Sequence, residues 1–465
     1  MLKFKTITQR DMTKLRRYYD NCSYRLCEYS VGVRMMWREA LHPTYTETEG
    51  CLITTNTLNG KLCFDYPVPG EAGDVEAALE RIEEYCAERD MPLIFTVVPE
   101  EELGTLIARY PCCRVTKRRM WCDYLYRAED MREFAGRRYS GQRNHINKFR
   151  KLYPGAKFCM LHAGDEERIE RFFAEYEQIF TKQSGSAKRE LRLARQMFSY
   201  LNKPYFCVGG MELDGRLISV ALGERCGETM IVHIEKALYG YEGVYPAMVN
   251  EFAKQFGGDV RFFNREDDAG DRGLRTSKLQ YLPTELAGKC TVEVENELAQ
   301  LREIHEIKTQ RLTLSALTDA DRAAYNAICL DDERNKWWGY DYRKDYHGES
   351  IGEYFLGVAR SDFANRLAVN FAVRLDGKCI GEAILYHFDG KGGAELGCRI
   401  AREYAGSGYG TEAFAAAAEW GLYGLGLGRV WAKCFRENEA SYKMLSACMR
   451  RSGEDETYYY FNKEV

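Results

Sequence analysis

A glycine-rich turn between a predicted strand and a predicted helix is the feature that most constrains the fold of this chain. The strand Ala394–Ile400 precedes the turn, and the helix Gly410–Tyr423 follows it. The turn contains Gly406, Gly408 and Gly410, and glycine permits positive φ and a close approach of the backbone to a ligand. Amides at the start of a helix attract anions. The turn therefore predicts an α/β unit whose backbone cradles a pyrophosphate, with an ordinary tight loop as the alternative.

The residues after the turn exclude two common anion-binding folds. No Gly-Lys-Ser or Gly-Lys-Thr follows the glycines, so the turn is not the phosphate loop of a nucleoside triphosphatase. No acidic residue follows a strand about 20 positions further on, as a dinucleotide-binding fold requires. The strand Arg429–Phe435 leads instead into a predicted helix over Asn438–Met449.

Strand and helix signals recur along the chain in units of about one domain length. The 465 residues suggest about three domains. Asn59-Gly60, Asp214-Gly215 and Asp376-Gly377 each predict a tight hairpin within one of them. Residues 287–308 are rich in Glu and Lys and predict a helical linker. The three predicted α/β domains cover residues 1–132, 133–286 and 309–465.

Composition and charge exclude several classes of protein. The chain has 66 Lys and Arg against 70 Asp and Glu, a net charge of −4, so it is not a wholly basic nucleic-acid-coating protein. No apolar run approaches the ~20 residues that span a membrane, and the N-terminus lacks the apolar core of a signal peptide. The 17 cysteines are scattered, and only 7 histidines are present. These features predict a cytoplasmic protein in a reducing environment, without a metal site.

Three motifs in the last third of the chain resemble those of one enzyme family. They are Ala-Glu-Leu-Gly at 394–397, Gly-Ser-Gly-Tyr-Gly-Thr-Glu-Ala at 406–413 and Asn-Glu-Ala-Ser at 438–441. On these motifs, residues 309–465 resemble acyl-CoA N-acyltransferases of the GNAT type, closest to the branch that acetylates the N-termini of ribosomal proteins. The resemblance implies acetyl-CoA as the cofactor.

The same resemblance implies a role for particular positions. It implies that backbone groups around Cys398 and Ile400 line the pantetheine, and that Asn438 and Ser441 face the cofactor. The amides that it implies for the CoA pyrophosphate belong to Gly406, Ser407, Gly408, Tyr409, Gly410 and Thr411.

Two positions depart from the pattern of the family. Ala405 stands where the turn usually carries Arg or Gln, which removes one expected phosphate contact. Leu445 stands where many relatives carry a tyrosine general acid. The thiolate leaving group is then protonated by Ser441, Tyr442 or water, or the site is impaired.

Acetyl transfer to an amine needs a base that takes a proton from the attacking ammonium. Glu395 begins the strand that enters the turn, and Glu382 lies on the neighbouring hairpin strand, so both are candidate bases; a structural glutamate is the alternative for each. The aromatic run Trp337–Tyr340 is a candidate wall of the acceptor pocket, or a packed aromatic loop. A backbone amide near Cys398–Ile400 is expected to stabilise the oxyanion.

Charged segments stand out in the first 290 residues. Residues 137–151 contain six Lys and Arg and no acid, which suits the phosphates of tRNA or another anionic ligand, with Arg143 and Lys148 as candidates. A solvated helix face is the alternative. Residues 264–275 mix carboxylates with arginines, which indicates ion pairs rather than a metal site. Between these segments, His233 and Glu235 are predicted on one face of a strand.

These segments carry a second resemblance. Residues 137–149, 233–237 and 264–275 resemble membrane-free, uncharacterised relatives of the soluble catalytic portion of phosphatidylglycerol lysyltransferases. The resemblance extends over about residues 10–285 and implies two tandem GNAT-like folds, but it transfers no catalytic residue. The second-site candidates, chosen from chemistry and location, are His233, Glu235, Asp268, Arg275 and Lys278.

The sequence therefore predicts an α/β (α+β) protein with three GNAT-like acyl-CoA N-acyltransferase folds, each a mixed, mostly antiparallel sheet flanked by helices. The predicted function is acetyl-CoA-dependent N-acetylation, by residues 309–465, of a primary amine on a small molecule, peptide or protein N-terminus. One alternative is an aminoacyl-tRNA-dependent aminoacyltransferase acting through residues 1–285. Another is a non-catalytic protein that binds CoA or a peptide, which Ala405 and Leu445 keep open.

Overall fold

The computed structural model describes residues 2–89, 91–179, 185–338, 341–348 and 350–465. Contacts divide the chain into two compact units. The first unit contains Met1–Leu103 and Val115–Glu293, and the second contains Gly104–Arg114 and Val294–Val465. Each unit is therefore built from two separate segments of the chain.

The chain up to residue 294 forms two sheets with flanking helices. Its strands are β1 (Lys5–Thr6), β2 (Thr44–Thr48), β3 (Cys51–Leu58), β4 (Lys61–Asp65), β5 (Val68–Pro69), β6 (Ile94–Pro99), β7 (Cys113–Lys117), β8 (Asp123–Arg127), β9 (Lys157–Met160), β10 (Phe206–Leu213), β11 (Arg216–Cys226), β12 (Thr229–Ala237), β13 (Phe262–Asn264), β14 (Glu285–Ala287) and β15 (Lys289–Val294). Its helices are α1 (Met12–Asp20), α2 (Val31–Met36), α3 (Arg38–Leu41), α4 (Val75–Ala87), α5 (Leu103–Arg109), α6 (Ala128–Glu133), α7 (Ser140–Leu152), α8 (Glu166–Ile179), α9 (Gly185–Met197), α10 (Val244–Phe256) and α11 (Arg272–Leu279).

The first sheet has the strand order β1-β2-β3-β4-β6-β15-β7, with β5 paired to β3. The predicted helical linker over residues 287–308 is wrong here, because residues 289–294 form β15 between β6 and β7. Thr291, Val292 and Val294 are β-branched, and such residues favour a strand. Their packing in the sheet outweighs the helical tendency of the Glu and Lys residues around them.

The second sheet has the order β14-β8-β13-β12-β11-β10-β9. Its central strands β12 and β13 are parallel, but they pair only over residues 229–231 and 262–264 and separate beyond. A turn with Gly240 and Gly243 then connects β12 to α10. This strand–turn–helix arrangement has the same order as the one predicted around Gly406.

The rest of the chain forms the third sheet and its helices. The strands are β16 (Ile307–Lys308), β17 (Leu312–Ala316), β18 (Val369–Leu375), β19 (Lys378–Tyr386), β20 (Gly393–Ile400), β21 (Arg429–Phe435), β22 (Arg450–Glu454) and β23 (Tyr458–Glu464). The helices are α12 (Arg322–Leu330), α13 (Asp332–Asn335), α14 (Tyr354–Ala364), α15 (Tyr409–Glu419), which continues as a π-helical turn over Trp420–Gly424, and α16 (Glu439–Cys448). The strand order is β16-β17-β18-β19-β20-β21-β23-β22.

The two faces of β20 have different environments. Ala394 and Leu396 belong to the apolar core beneath α15, and side chains alternate along a strand. Glu395, Gly397 and Arg399 therefore project from the opposite face, where polar side chains and Trp338 meet them.

Three helix-flanked, mixed sheets among the described residues confirm the predicted fold class. The sheets do not follow the predicted domain boundaries. Strand β8, within the first predicted domain, lies in the second sheet, and β15, within the predicted linker, lies in the first sheet. Within the described part of the chain, no helix is both long enough and apolar enough to cross a bilayer.

Candidate active site

The glycine turn at the end of β20 is open. Gly406 and Gly408 have φ of +82° and +80°, a region that strains other residues. A Cβ atom at Gly406 would meet nothing within 4 Å, and one at Gly408 would meet only the Arg311 side chain at 3.4 Å. Tyr409 and Gly410 begin α15 directly behind the turn. The backbone here leaves room for a ligand at a helix N-terminus.

Arg311 braces this turn and was not found from the sequence. Its guanidinium donates to the Ser407 carbonyl (2.9 Å) and to the Glu412 carboxylate (2.7 Å), and it stacks 4.6 Å from the centre of the Tyr409 ring. The side chain thus brings a guanidinium to the start of α15, where the Glu412 carboxylate balances its charge. No local pattern marks Arg311, which lies about 95 residues before the turn.

The strands β20 and β21 separate after Glu395, which leaves an opening between them. The strands β20 and β21 are parallel and pair only over residues 393–395 and 429–431. Cys398 and Ile400 lie beyond, where the described residues of β21 offer β20 no partner. Backbone groups on that side are free to bind a ligand.

Glu395 is a buried carboxylate with two basic neighbours. His387 Nδ1 lies 3.0 Å from Oε2, and Lys433 Nζ lies 3.7 Å from Oε1. Burial raises the pKa of Glu395, but these neighbours outweigh burial and hold the pKa below its usual range. The carboxylate is therefore ionised at neutral pH and can accept a proton. The exposed His387 ring connects it to solvent.

Glu382, the other candidate base, is fully occupied. Its Oε1 accepts from the Tyr325 hydroxyl and from Asn370 Nδ2 (2.8 Å), and its Oε2 accepts from Arg399 Nε (2.9 Å). The residue is 1% exposed. With these bonds Glu382 holds the Arg399 side chain in place. Glu395 is therefore the carboxylate better placed to act as a base.

The start of α16 lies beside the turn. Asn438 caps the helix, because its Oδ1 accepts from the Ser441 amide at 3.1 Å. Met444 approaches the position that a Cβ of Gly410 would take, at 3.5 Å. Tyr442 packs against aromatic side chains of β23, and Leu445 is buried in the core.

The aromatic run Trp337–Tyr340, which follows α13, lies partly over β20. Trp338 approaches the Cβ position of Gly397 at 3.2 Å and stacks 4.3 Å from the Arg399 guanidinium. Trp337 packs against Phe435. The remaining residues of the predicted pocket wall, 339 and 340, lie outside the described residues.

In the first unit, His233 is held between two carboxylates. Its Nε2 lies 3.0 Å from Glu224 and its Nδ1 lies 2.9 Å from Glu266. Burial lowers the pKa of His233, but the two carboxylates outweigh it and raise the pKa to about 9. The ring is therefore a buried imidazolium at neutral pH. Glu224 lies on β11, the strand that pairs with the His233 strand β12, and no sequence pattern indicated its role.

The prediction that His233 and Glu235 share a face is wrong. The register of β11 and β12 shifts between Val232 and Ile234, so His233 forms a β-bulge and the alternation of faces breaks there. Glu235 instead bonds Arg265 at 2.8 Å.

Asp268 and the residues around it form ion pairs, as the composition of the segment predicts. Both oxygens of the buried Asp268 bond Arg275 at 3.0 Å, and Arg119 (3.0 Å) and the Tyr124 hydroxyl (2.7 Å) also bond it. Hydrogen bonds from Arg275 hold the pKa of Asp268 well below its usual range. Lys278 donates to backbone carbonyls of the same loop, and burial lowers its pKa.

The basic segment 137–151 binds its own chain. Arg143 donates to the carbonyls of Phe134 and Gly136, and Lys148 bonds Glu242 at 2.6 Å. Arg138 and Arg150 also have carboxylate partners. These contacts neutralise much of the segment, which weakens the expectation that it holds an anionic ligand.

A buried cluster next to Asp123 was not predicted. Ligand atoms of Cys27, Glu28 and Asp123 lie within 4.8 Å of one another. The Lys289 ammonium contacts all three, at 3.1 Å from Asp123 and 3.8 Å from Cys27. The cluster thus has a cation of its own at its centre.

Two family models match the chain. The model described as phosphatidylglycerol lysyltransferase, C-terminal, matches residues 21–292, and the model described as acetyltransferase (GNAT) domain matches residues 311–448. The matches confirm both resemblances, and the second makes the protein an acyltransferase of a fold family that uses acyl-CoA. A non-catalytic role is therefore not supported.

Similar proteins cover parts of the chain. An uncharacterized protein of Mycoplasmoides gallisepticum is 26% identical over 183 residues, 37% of this chain and 56% of that relative. An uncharacterized N-acetyltransferase of Bacillus subtilis is 28% identical over 142 residues, 30% of this chain and 78% of that relative. A solved structure of a conserved protein of unknown function from Bacteroides thetaiotaomicron has a TM-score of 0.58 and 25% identity, and the match covers 63% of this chain and 100% of that one. The chain thus spans little more than half the length of the first curated relative.

Proposed function

Because the chain belongs to the family of phosphatidylglycerol lysyltransferase C-terminal domains and also carries a GNAT domain, we propose that it acetylates a primary amine with acetyl-CoA as the donor. One observation carries the proposal. The strand that bears the ionised Glu395 ends in an open glycine turn at a helix N-terminus.

The residues of the turn fit the pyrophosphate of an acyl-CoA. Space around Gly406 admits the phosphates, and amides from Gly408 to Thr411 lead into α15, whose N-terminus favours an anion. The Arg311 guanidinium, whose charge Glu412 balances, lies against the turn at Ser407 and Gly408. Cys398 and Ile400 would line the pantetheine, and bound acetyl-CoA would supply a reactive thioester carbonyl.

Glu395 would act as the base. An alkyl ammonium has a pKa of about 10, so the acceptor must lose a proton before its nitrogen can attack. The Glu395 carboxylate accepts this proton, directly or through water, and His387 provides a route to solvent. A free backbone amide of β20 near Cys398–Ile400 would stabilise the oxyanion. Ser441, Tyr442 or water would protonate the leaving thiolate.

The first test is the binding of acetyl-CoA by isothermal titration. We expect micromolar binding by the unchanged chain and its loss in Gly408→Asp, which puts a side chain and a negative charge into the turn. Gly426→Asp is the matched control, because Gly426 also has a φ of +80° and open space around it. Its affinity for acetyl-CoA should match that of the unchanged chain.

The titration can also contradict the proposal. No binding by the unchanged chain would remove acetyl-CoA as the donor. Equal loss in both variants would attribute the effect to backbone strain rather than to the turn.

A second candidate function is aminoacyl-tRNA-dependent transfer by the first unit. The family match to residues 21–292 supports it, as do Arg119 and Arg275, whose side chains stay 39% and 37% exposed while they share Asp268. Guanidinium groups of this kind bind phosphates. Salt-sensitive binding of a charged tRNA that Arg275→Gln weakens would support this function. No tRNA binding at low salt would exclude it.

A further inference from the structure

A small cavity lies on the sheet face that carries Glu395. It is enclosed by α12, α14 and the strands β18, β19 and β20, and Trp338 forms part of its wall. Its volume is about 20 Å³. A space of this size holds one water molecule or one ammonium group.

Asn370 lines this cavity and carries an unsatisfied side-chain oxygen. The residue is 6% exposed and lines the cavity. Its Nδ2 donates to Glu382 at 2.8 Å, while its buried Oδ1 has no partner among the described residues. The reverse orientation of the Asn370 amide would turn its oxygen toward the Glu382 carboxylate. The hydrogen bond to Glu382 therefore determines which atom of the amide is the oxygen. A buried acceptor without a partner costs about 1–3 kcal/mol, and a donor from outside the chain would remove that cost.

Asp362 gives the cavity a net negative charge. Glu382 is balanced by Arg399 at 2.9 Å, whereas the carboxylate of Asp362 has no hydrogen bond or ion pair within the described part of the chain. Burial and the charge of Glu382 raise the pKa of Asp362. The free polar atoms of the cavity are thus both acceptors, and one of them belongs to an uncompensated carboxylate. A cationic donor satisfies both.

The cavity and the candidate base lie on the same face of β20, a few residues apart. Gly397 lies two residues beyond Glu395 on the same face, and Arg399, which lines the cavity, lies four residues beyond. At ~3.3 Å per residue the separation along β20 is about 7–13 Å. Trp338 covers the interval and offers an aromatic surface to an alkyl chain.

We propose that this cavity binds a second ammonium group of the acceptor, so that the acceptor is an aliphatic diamine or polyamine whose distal nitrogen contacts Asp362 and Asn370. The inference rests on the proposed function, since Glu395 defines where the attacked amine lies. Oδ1 of Asn370 and the Asp362 carboxylate accept hydrogen bonds from the distal ammonium, and the carboxylate compensates its charge.

The test compares two amines of equal length by isothermal titration in the presence of CoA. Diaminooctane carries an ammonium at both ends, and aminooctanol carries a hydroxyl at one. We expect the unchanged chain to bind diaminooctane at least ~10-fold more tightly, because only the diamine compensates a carboxylate. Asp362→Asn should abolish this difference. Asp376→Asn, in the β18–β19 turn, is the matched control and should retain it.

Stability gives an independent check on the variant. Asp362→Asn removes an unpaired, partly buried charge, so its melting temperature should equal or exceed that of the unchanged chain. A folded variant that keeps the preference for the diamine overturns the inference. Equal affinity of the unchanged chain for both amines also overturns it, while the proposed function stands if acetyl-CoA binds. Absence of acetyl-CoA binding overturns the proposed function and this inference together.

Discussion

Two glycine turns occupy equivalent places in the molecule, one after β12 and one after β20. Each follows a strand that pairs in parallel with its neighbour over only three residues, and each leads into a helix. In the first unit a Cβ at Gly243 would meet the His145 carbonyl at 2.4 Å and Phe149 at 3.0 Å. At Gly408, which precedes α15 as Gly243 precedes α10, a Cβ would meet only Arg311 at 3.4 Å, and at Gly406 it would meet nothing within 4 Å.

The difference is the helix that covers the first turn. Helix α7 packs on it, with Lys148 bonded to Glu242 and the Tyr153 hydroxyl bonded to the Gly240 carbonyl. These contacts close the backbone at Gly243 to a ligand, whereas a Cβ at Gly240, earlier in the same turn, would meet nothing within 4 Å. The same strand–turn–helix arrangement is thus covered at Gly243 in one unit and open at Gly406 in the other, where we propose that it binds an anion.

We propose amine acetylation for the second unit alone, and Glu395→Gln tests this proposal most strongly. Loss of a general base costs about 10²–10⁴-fold in rate, and we expect kcat for amine acetylation to fall in that range while acetyl-CoA affinity is unchanged. The exposed Glu456→Gln is the control. Activity that survives Glu395→Gln would mean that another group accepts the proton.

Alanine at the two turns should have unequal effects on stability. Positive φ alone costs a residue about 1–2 kcal/mol, and this applies to Gly406→Ala. Gly243→Ala adds the overlap with α7, so we expect about 2–5 kcal/mol in the free energy of unfolding of the first unit. Urea unfolding measures both. Equal losses would show that α7 does not cover the first turn tightly.

The two units should also respond differently to high pH. His233 has a pKa of about 9 in the folded chain and about 6.5 when unfolded. The stabilisation is therefore complete below pH ~6.5 and is lost as pH rises through about 9. The shift corresponds to about 3 kcal/mol. Unfolding curves at neutral and alkaline pH should show this loss in the first unit, and His233→Gln should reduce the pH dependence. An unchanged dependence would place its origin elsewhere.

The smallest effect is expected at the contact between α7 and the first turn. The Lys148–Glu242 pair is exposed, and such pairs contribute about 0–1 kcal/mol. Lys148→Gln should therefore change the unfolding free energy by less than ~1 kcal/mol and leave acetyl-CoA affinity unchanged. A large loss of tRNA binding in this variant would instead favour the aminoacyl-tRNA function.

Local patterns predicted the turn and the candidate base, and long-range contacts explain what they missed. Glycine spacing identified the turn at Gly406 because its chemistry is local. Arg311 reaches the turn only through folding, and no short pattern relates it to the turn. The predicted face of His233 was wrong because a β-bulge interrupts the alternation of side chains along β12. The basic side chains of α7 pair with carboxylates up to about 100 positions away, which no local pattern reveals.

The position of β15 determines how this protein can be dissected. A fragment that ends at residue 286, the end of the second predicted domain, lacks the strand between β6 and β7. Its first sheet would expose two unpaired edges, and such edges promote aggregation. During synthesis, the first sheet likewise waits for residues 289–294 to leave the ribosome. A fragment for expression should therefore extend past Val294.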